Sequence, residues 1–153
     1  MRLMIHTDGG ARGNPGPAAV GVVIEEVMGE AQSQTAGRAT KPKVIARFGK
    51  KIGEATNNIA EYTAVTEALE EVRGQLSKIK SERGSLEIQF YLDSTLVVNQ
   101  LNGVFRVKEA HLRELLMRVR ALEAEVGGYI TYSVVPREHN QDADVLVNQA
   151  LDG

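Results

Sequence analysis

Four carboxylates in this chain stand at positions from which acids could take part in chemistry. Asp8 follows a short apolar run, and Asp93 follows the alternating stretch of residues 86–92. Both acids therefore end predicted strands, where open α/β sheets place their ligands. The other two acids, Glu61 and Asp144, fall in segments with helical periodicity. The elements that carry the four acids must bring them together before they can share any chemistry.

Glu61 lies on the apolar side of a helix predicted over residues 58–73. At 100° per residue it shares an arc with Val65 and its apolar neighbours. The alternative is a capping box, Asn58-x-x-Glu61, in which the carboxylate reaches back to the helix cap. A capping Glu would face solvent, and burial of a carboxylate without a partner is costly. A cation beside Glu61 would offset that cost, so we favour a functional role.

Helix starts offer an ordinary explanation for some of the other acids. Asp93 could cap the helix that Ser94 begins. The predicted last helix, residues 141–151, opens with Asp142 and Asp144, and the helix dipole alone favours acids in a first turn. These two acids point to nearly opposite sides. Asp144 shares a side with apolar residues and is predicted to face the sheet, whereas Asp142 is not.

Acids that converge from strand ends and helices suit a hard cation. Magnesium prefers oxygen ligands, keeps several waters and is completed by a substrate phosphate, and Mn²⁺ is the alternative ion. A pair of such ions about 4 Å apart activates a water and stabilises the leaving oxygen in phosphodiester cleavage. Zinc is disfavoured because the three histidines, His6, His111 and His139, lack ligand spacing.

Length and composition limit the class of protein. With 153 residues the chain is predicted to form one domain, residues 1–153. Its net charge of −2 does not indicate a nucleic-acid binder, so a polyanionic partner would need a local basic patch. The absence of cysteine excludes disulfides and thiolate metal sites. Met1 leads directly into a predicted strand, and no run of 18 apolar residues occurs. These features predict a cytoplasmic protein with no membrane partner. The protein is expected to be a monomer.

Hydrophobic periodicity predicts the elements that position the acids. Strands are predicted at residues 2–8, 20–25, 43–52, 86–93 and 129–135. Helices are predicted at residues 58–73, 94–102, 108–126 and 141–151. Polar residues 30–42 are interpreted as a flexible hairpin tip, and residues 77–85 as a charged connection. The order predicts an α/β fold with a five-stranded mixed sheet, three antiparallel strands followed by two parallel ones, flanked by helices.

Residues 9–17 contain four glycines and two prolines between the first two predicted strands. The ordinary interpretation is the turn of a β-hairpin, since Gly, Pro and Asn dominate turns. Tight hairpins use about two to five loop residues, and about nine or ten are predicted here, which favours a functional loop. A P-loop and a dinucleotide-binding loop are excluded, because the Gly-Lys-Ser/Thr ending is missing and a strand is predicted to follow.

Four separated motifs, in order and spacing, resemble the type 1 ribonuclease H family over nearly the whole chain. The motifs are Thr7-Asp8-Gly9-Gly10 with Gly13-Asn14-Pro15-Gly16-Pro17, Thr56-Asn57-Asn58-x-x-Glu61, Asp93-Ser94, and Arg137-Glu138-His139-Asn140 before Ala143-Asp144-x-Leu146. The resemblance implies a ribonuclease H-like, five-stranded mixed sheet with helices on both faces. It also implies an endoribonuclease that cleaves the RNA strand of RNA–DNA hybrids by metal-ion-assisted hydrolysis.

The resemblance also implies a role for each matching residue. The metal-binding carboxylates would be Asp8, Glu61, Asp93 and Asp144. The backbone at Gly9 and Gly10, together with Glu61, would contact the ribose 2′-hydroxyl, the group that distinguishes RNA from DNA locally. The residues expected against the substrate backbones are Asn14, Thr56, Asn57 and Asn58.

Two departures from well-known bacterial members of the family change these expectations. The flexible loop before the last helix is reduced to residues 136–139, so His139 or Arg137 is predicted to assist product release. Residues 103–111 are too short for the basic, Trp-containing protrusion that grips the hybrid, which indicates the compact branch of the family. Hybrid binding would then depend on Arg12, Lys43, Arg47, Lys50, Lys51, Arg106 and Lys108. The preference for hybrid over double-stranded RNA stays open.

Two other functions are compatible with the same fold. One is a catalytically silent nucleic-acid-binding module, and the other is a different metal-dependent nuclease, such as a junction resolvase or an exonuclease. A pure binder gains nothing from negative charge where phosphates must lie, so the four acids argue against the first. The intact Thr7-Asp8-Gly9-Gly10 and Asn57-Asn58-x-x-Glu61 motifs favour ribonuclease H over the second.

Overall fold

The computed structural model describes residues 1–27, 42–79 and 86–153 and contains a five-stranded sheet. The strands are β1 (Arg2–Ala11), β2 (Gly16–Val27), β3 (Lys43–Ala55), β4 (Glu87–Leu92) and β5 (Tyr129–Val134). Their order across the sheet is β3-β2-β1-β4-β5. The first three strands are antiparallel, whereas β4 runs parallel to β1 and β5 runs parallel to β4. The predicted mixed sheet is therefore confirmed.

Helices cover both faces of this sheet. They are α1 (Asn57–Gly74), α2 (Leu76–Ile79), α3 (Thr95–Leu101), α4 (Ala110–Val126) and α5 (Gln141–Asp152). A 3₁₀ turn over Arg137–His139 precedes α5. No helix among the described residues is both long enough and apolar enough to cross a membrane.

The main core lies between one face of the sheet and helices α1, α3 and α4. Alternate residues of the central strands, such as Ile5 and Phe90, point into this layer and are fully buried. From the helix side, Leu69 and Val119 complete it. On the opposite face α5 packs against β1, β2 and β3. The apolar alternation of the strands thus fixes which face receives α1, and with it the side from which Glu61 approaches.

The prediction of a long loop over residues 9–17 is wrong. The first two strands stay paired as far as Ala11 and Ala18, and Gly16 and Pro17 already belong to β2 through their pairing with β3, so only residues 12–15 lie outside both strands. Glycines were interpreted as loop residues, but Gly9 is a strand residue whose missing side chain lets α1 lie against it. A Cβ at this position would overlap the carbonyl group of Ala60.

Two further segments differ from the sequence interpretation. Leu76–Ile79 form one helical turn that overlaps the start of the charged connection predicted at residues 77–85, of which residues 80–85 lie outside the described residues. The predicted flexible tip, residues 30–42, also lies outside them except for Pro42. The remaining element bounds agree with the predicted ones within a few residues.

Candidate active site

The central strands diverge at the point where the first acid lies. The parallel pairing of β1 with β4 ends at His6 and Tyr91, whereas β1 continues alone with β2 as far as Ala11. Asp8 and Asp93 each lie two residues beyond that last pair. The prediction that Asp8 ends its strand is therefore wrong. Asp8 lies inside β1, at the point where β1 is no longer paired with β4. The two acids face the same opening in the sheet.

Glu61 reaches this opening from α1 and is 6% exposed. Its Oε1 accepts a hydrogen bond of 2.7 Å from the backbone N–H of Gly9. The cap of α1 is Thr56, whose Oγ1 accepts from the N–H of Ile59 at 3.2 Å, and not Asn58. The capping-box alternative for Glu61 is therefore wrong. Close contact between α1 and Gly9 turns the carboxylate toward the backbone beside Asp8.

Asp93 does not cap a helix either. Ser94 caps α3, since its Oγ accepts a 3.2 Å hydrogen bond from the N–H of Val97. One carboxylate oxygen of Asp93 instead accepts from the side-chain amide of Asn140 at 3.3 Å. The cap interpretation of Asp93 is therefore wrong, and its carboxylate is directed toward the acids of β1 and α1.

Asp8, Glu61 and Asp93 form a three-carboxylate cluster. Each offers one oxygen, and these oxygens lie within 4.8 Å of one another. Burial and the nearby charge of Asp93 raise the pKa of Asp8 to about 7. Burial, followed by the charge of Asp8, raises the pKa of Glu61 well above its usual range, although the N–H of Gly9 opposes this. The cluster is therefore electrostatically unfavourable on its own.

Asp144 lies beside Asp8 but outside the three-carboxylate cluster. Its charge and a side-chain hydrogen bond both raise the pKa of Asp8. This contact depends on a row of paired residues, because Asp8 faces Gly21 across the sheet and Gly21 faces Gly49. A Cβ on either glycine would overlap a backbone carbonyl oxygen of α5, so the helix lies directly on the strands there. Close approach thus holds Asp144 near Asp8.

Asp142, the neighbouring acid of α5, is directed elsewhere. Its side chain is 76% exposed and lies 3.9 Å from the guanidinium of Arg47. The structure therefore separates the two acids in the way that the helical periodicity predicts.

The donor set of the cluster fits a hard divalent cation. It consists of carboxylate oxygens only, which Mg²⁺ and Mn²⁺ prefer. None of the ion pairs formed by the described residues involves Asp8, Glu61 or Asp93. Buried negative charges without a cationic side chain are expected to need a cation from solution.

Comparison with known proteins identifies the family. A family model described as reverse transcriptase-like matches residues 6–150. The RNase H1 of the archaeon Halobacterium salinarum is 36% identical, with a TM-score of 0.77 and coverage of 99% of this chain and 98% of that one. LC11-RNase H1, isolated from compost and solved with an RNA/DNA hybrid, is 38% identical, with a TM-score of 0.77 and coverage of 98% and 96%. The chain belongs to the type 1 ribonuclease H family.

Some relatives are much longer than this ribonuclease H chain. A bifunctional protein of Mycobacterium tuberculosis is 37% identical over 152 residues, which is 99% of this chain but 36% of that protein. The structure of its N-terminal RNase H domain has a TM-score of 0.76 at 35% identity. The similarity to these longer relatives is therefore confined to one part of them.

The ribonuclease H chain has the compact form of the family. Helix α3 ends at Leu101 and α4 begins at Ala110, and residues 102–109 between them contain no helix. The predicted absence of a protrusion is thus confirmed. Arg106 and Lys108 are exposed in this short connection.

Several predicted substrate-binding residues join the β1–β2 hairpin to α1. Oδ1 of Asn57 accepts from the N–H of Ala11 at 3.0 Å, and the N–H of Asn57 donates to Oδ1 of Asn14 at 2.9 Å. Arg12 pairs with Asp152 at 2.7 Å. Ala11, Arg12 and Asn14 follow Gly9 and Gly10 in sequence, so these contacts tie the hairpin beyond Gly10 to α1 and to the end of α5. Thr56 caps α1, and Asn58 is half-buried in the first turn of that helix.

The other predicted residues lie in the 3₁₀ turn before α5 and along β3. His139 is exposed in the 3₁₀ turn and lines a pocket with His6 and Asp142. Lys50 pairs with Glu67 of α1. The side-chain amine of Lys51 donates to the backbone carbonyl of Gly153, while Arg47 and Lys43 are exposed along β3.

Sequence reasoning missed three residues that shape the site. Gly21 and Gly49 lie inside strand patterns, and an isolated glycine in a strand is a recognised sign of close backbone approach. Asn140 enters the sequence analysis only as part of a motif. Its position directly before a helix suggests a cap, yet its side chain is buried and makes no cap bond. No sequence signal separates these two possibilities.

Proposed function

We propose that this chain is an endonuclease that cleaves the RNA strand of RNA–DNA hybrids with the help of Mg²⁺. The observation that carries the proposal is the cluster of Asp8, Glu61 and Asp93 in the opening between β1 and β4. A relative 38% identical to this chain, LC11-RNase H1, is described in complex with an RNA/DNA hybrid. A silent binding module would leave the cluster's buried charge unexplained, since it repels phosphates.

The cluster would hold the cation, with Asp144 completing the site from the side of α5. When bound, divalent cations supply charge stabilisation for the phosphodiester and an activated water. The chain contributes the placement of the acids, because α1, β1, β4 and α5 each fix one of them. It also contributes the buried surroundings, in which electrostatic interactions are stronger than in water. Mn²⁺ is expected to replace Mg²⁺, because both prefer oxygen ligands.

Recognition of the RNA strand is expected next to the cluster. The backbone at Gly9 and Gly10 and the carboxylate of Glu61 would contact the ribose 2′-hydroxyl. Asn57 of α1 and Asn14 of the hairpin turn, which are joined by a hydrogen bond, would present polar groups to the strand backbones. Arg106 and Lys108 would bind phosphates in place of the missing protrusion. We expect the chain to act as a monomer in the cytoplasm.

A strand-specific cleavage assay tests the proposal. Hybrids labelled on either strand are incubated with Mg²⁺, with Mn²⁺ or with a chelator, alongside DNA duplex, branched DNA and double-stranded RNA. We expect cleavage of the RNA strand only, at internal positions, with either cation and none with chelator. Cleavage of the DNA strand, or of branched DNA alone, would instead support another nuclease of this fold. Binding without cleavage would support the silent module.

A further inference from the structure

Asn140 occupies an unusual position at the start of α5. It is the cap residue of the helix, but its side chain makes no cap hydrogen bond and is 1% exposed. The side-chain amide donates instead to the backbone carbonyl of Thr7 at 2.9 Å and to Oδ2 of Asp93 at 3.3 Å. An Asn at a helix start usually caps the helix. Here the side chain is directed away from α5 and into the site.

The two partners determine which way the amide of Asn140 points. Both are acceptors, so the NH₂ group and not the carbonyl oxygen must face them. Oδ1 is then buried without a hydrogen-bond partner among the described residues. Leaving a buried acceptor unpaired costs stability. A residue selected for stability alone would cap α5, so this arrangement points to a role in the site.

Asn140 also connects the elements that carry three of the acids. Thr7, which accepts one of its hydrogen bonds, directly precedes Asp8 in β1. Asp93, which accepts the other, follows β4. The backbone carbonyl of Asn140 accepts from the N–H of Asp144 at 3.1 Å in the first turn of α5. One buried residue thus contacts Asp93 and Asp144 directly and Asp8 through the adjacent peptide group.

We propose that Asn140 is a positioning residue that holds the Asp93 carboxylate in the orientation needed for cation binding. The inference rests on the proposed function, because it assigns Asn140 to the same site. A neutral donor suits this task. Lys or Arg would neutralise Asp93 and compete with the cation, whereas an amide orients the carboxylate and leaves its charge available. Residues that orient metal ligands in this way commonly contribute about 10–100-fold to metal affinity.

A magnesium titration of the free protein tests this role without using activity. Gly9 donates its backbone N–H to Glu61, so the ¹⁵N-labelled amide of Gly9 reports cation binding at the cluster. We expect Asn140→Ala to raise the Mg²⁺ dissociation constant about tenfold or more. The matched control is Asn148→Ala, because Asn148 is exposed on the same helix and its amide donates to the carbonyl of Asp144 at 3.1 Å. The control should stay within about twofold of the parent, as expected for a surface change. Equal dissociation constants for a folded Asn140→Ala and the parent would overturn the proposal.

A second measurement uses the parent protein and needs no substitution. In the parent, the side-chain amide resonance of Asn140 should shift during the same Mg²⁺ titration, while that of Asn148 should not. An Asn140 resonance that stays in place as the Gly9 amide shifts would contradict the positioning role, even if Asn140→Ala does not fold.

Activity then separates the two proposals. In the folded Asn140→Ala variant, hybrid cleavage should need more Mg²⁺, while the Michaelis constant for hybrid stays within about twofold, because the substrate contacts are unchanged. If the parent cleaves no hybrid, the proposed function fails, and the magnesium titration still decides the role of Asn140. If the parent cleaves hybrid and both variants bind Mg²⁺ alike, only the positioning role fails.

Discussion

Asp8 is a buried acid whose negative charge is repelled by neighbouring carboxylates. It is buried, and it lies close to Asp93 and Asp144, so its charged form is unfavourable without a cation. Conversion to a neutral residue of the same shape should therefore relieve repulsion and, at the same time, remove a proposed metal ligand. Activity and stability are expected to change in opposite directions, which distinguishes a functional acid from a structural one.

The first prediction concerns Asp8→Asn. We expect hybrid cleavage to fall by orders of magnitude, while the melting temperature of the metal-free protein equals or exceeds that of the parent. Cleavage assays and thermal unfolding in chelator provide the two measurements. Glu87→Gln, which neutralises an exposed acid at the start of β4, is the control and should change neither. An Asp8→Asn variant that cleaves near the parent rate would remove Asp8 from the site.

The second prediction concerns the pH dependence of stability in chelator. The pKa of Asp8 rises from 3.8 to about 7 on folding, and the pKa of Glu61 is raised as well. At pH values between the unfolded and the folded pKa of these acids, the folded chain binds more protons than the unfolded chain. The free energy of unfolding therefore increases as the pH falls from about 8 toward about 5. Thermal unfolding should give a melting temperature several degrees higher at the lower pH. Asp8→Asn should weaken this gradient, and an unchanged gradient would show that other groups cause it.

The third prediction separates the neighbouring acids of α5. Asp144→Asn should strongly reduce magnesium-dependent turnover, because Asp144 lies beside Asp8. Asp142→Asn should cost only the helix-dipole contribution of about 0.3–1 kcal/mol, because its side chain is exposed. Turnover at saturating hybrid and thermal unfolding of both variants provide the comparison. The reverse ranking would mean that α5 presents its other side to the site.

At the scale of whole elements, the site depends on how closely two helices approach the sheet. Helix α1 lies against Gly9, and α5 lies against Gly21 and Gly49. These contacts leave no room for a side chain, so the helices are located by the strand backbones themselves. The acids on α1 and α5 are thereby placed relative to the acid on β1.

The fourth prediction follows from that contact. Gly21→Ala would bring a Cβ into the carbonyl oxygen of Ala143, so α5 must move. Such overpacking typically costs about 1–3 kcal/mol, and the displaced Asp144 should lower turnover as well. Gly74→Ala is the matched control, since no atom lies within 4 Å of a Cβ built there, and its stability should be equal or slightly higher. Parent-like unfolding and turnover for Gly21→Ala would show that α5 adjusts freely.

The elements also show what the sequence could reveal. The alternation in β1 and β4 and the helical period of α1 predicted the sheet and its helices, because burial imposes these periods on apolar residues. The motif residues predicted the cluster. The end of β1 was misplaced because glycine is usually a loop residue, and only the later packing of α1 explains Gly9 in a strand. The burial and the hydrogen-bond partners of Asn140 could not be predicted, because a cap and a buried donor look the same in sequence.

At the scale of the whole molecule, charge is the property expected to limit the binding of a nucleic acid. The net charge is −2, so attraction to a nucleic acid depends on a few basic residues and not on the overall field. Several candidates are already engaged, since Lys50 pairs with Glu67 and Arg12 with Asp152. Arg106 and Lys108, which are exposed in the short connection before α4, are therefore expected to contribute strongly to the attraction of a nucleic acid.

The fifth prediction concerns the double variant Arg106→Ala with Lys108→Ala. We expect a several-fold higher Michaelis constant for hybrid and almost unchanged turnover at saturation, because these residues hold ground and transition states equally. The slope of log affinity against log salt should decrease by about 0.7–0.9 for each lost phosphate contact. Arg73→Ala with Arg118→Ala removes the same charge from residues paired with glutamates of neighbouring helices, and serves as the control. An unchanged salt slope would place the contacts along β3 instead.

The close packing of α5 on Gly21 and Gly49 also affects how the molecule responds to heat. Side chains between packed elements can change rotamer and absorb small displacements, whereas peptide groups in direct contact lack that freedom. Warming is therefore not expected to increase the distance between α5 and the strands at Gly21 and Gly49 gradually. Asp144 should keep its distance from Asp8 until α5 detaches as a unit. Thermal inactivation is then expected to coincide with unfolding, without an earlier stage in which the folded enzyme has lost its activity.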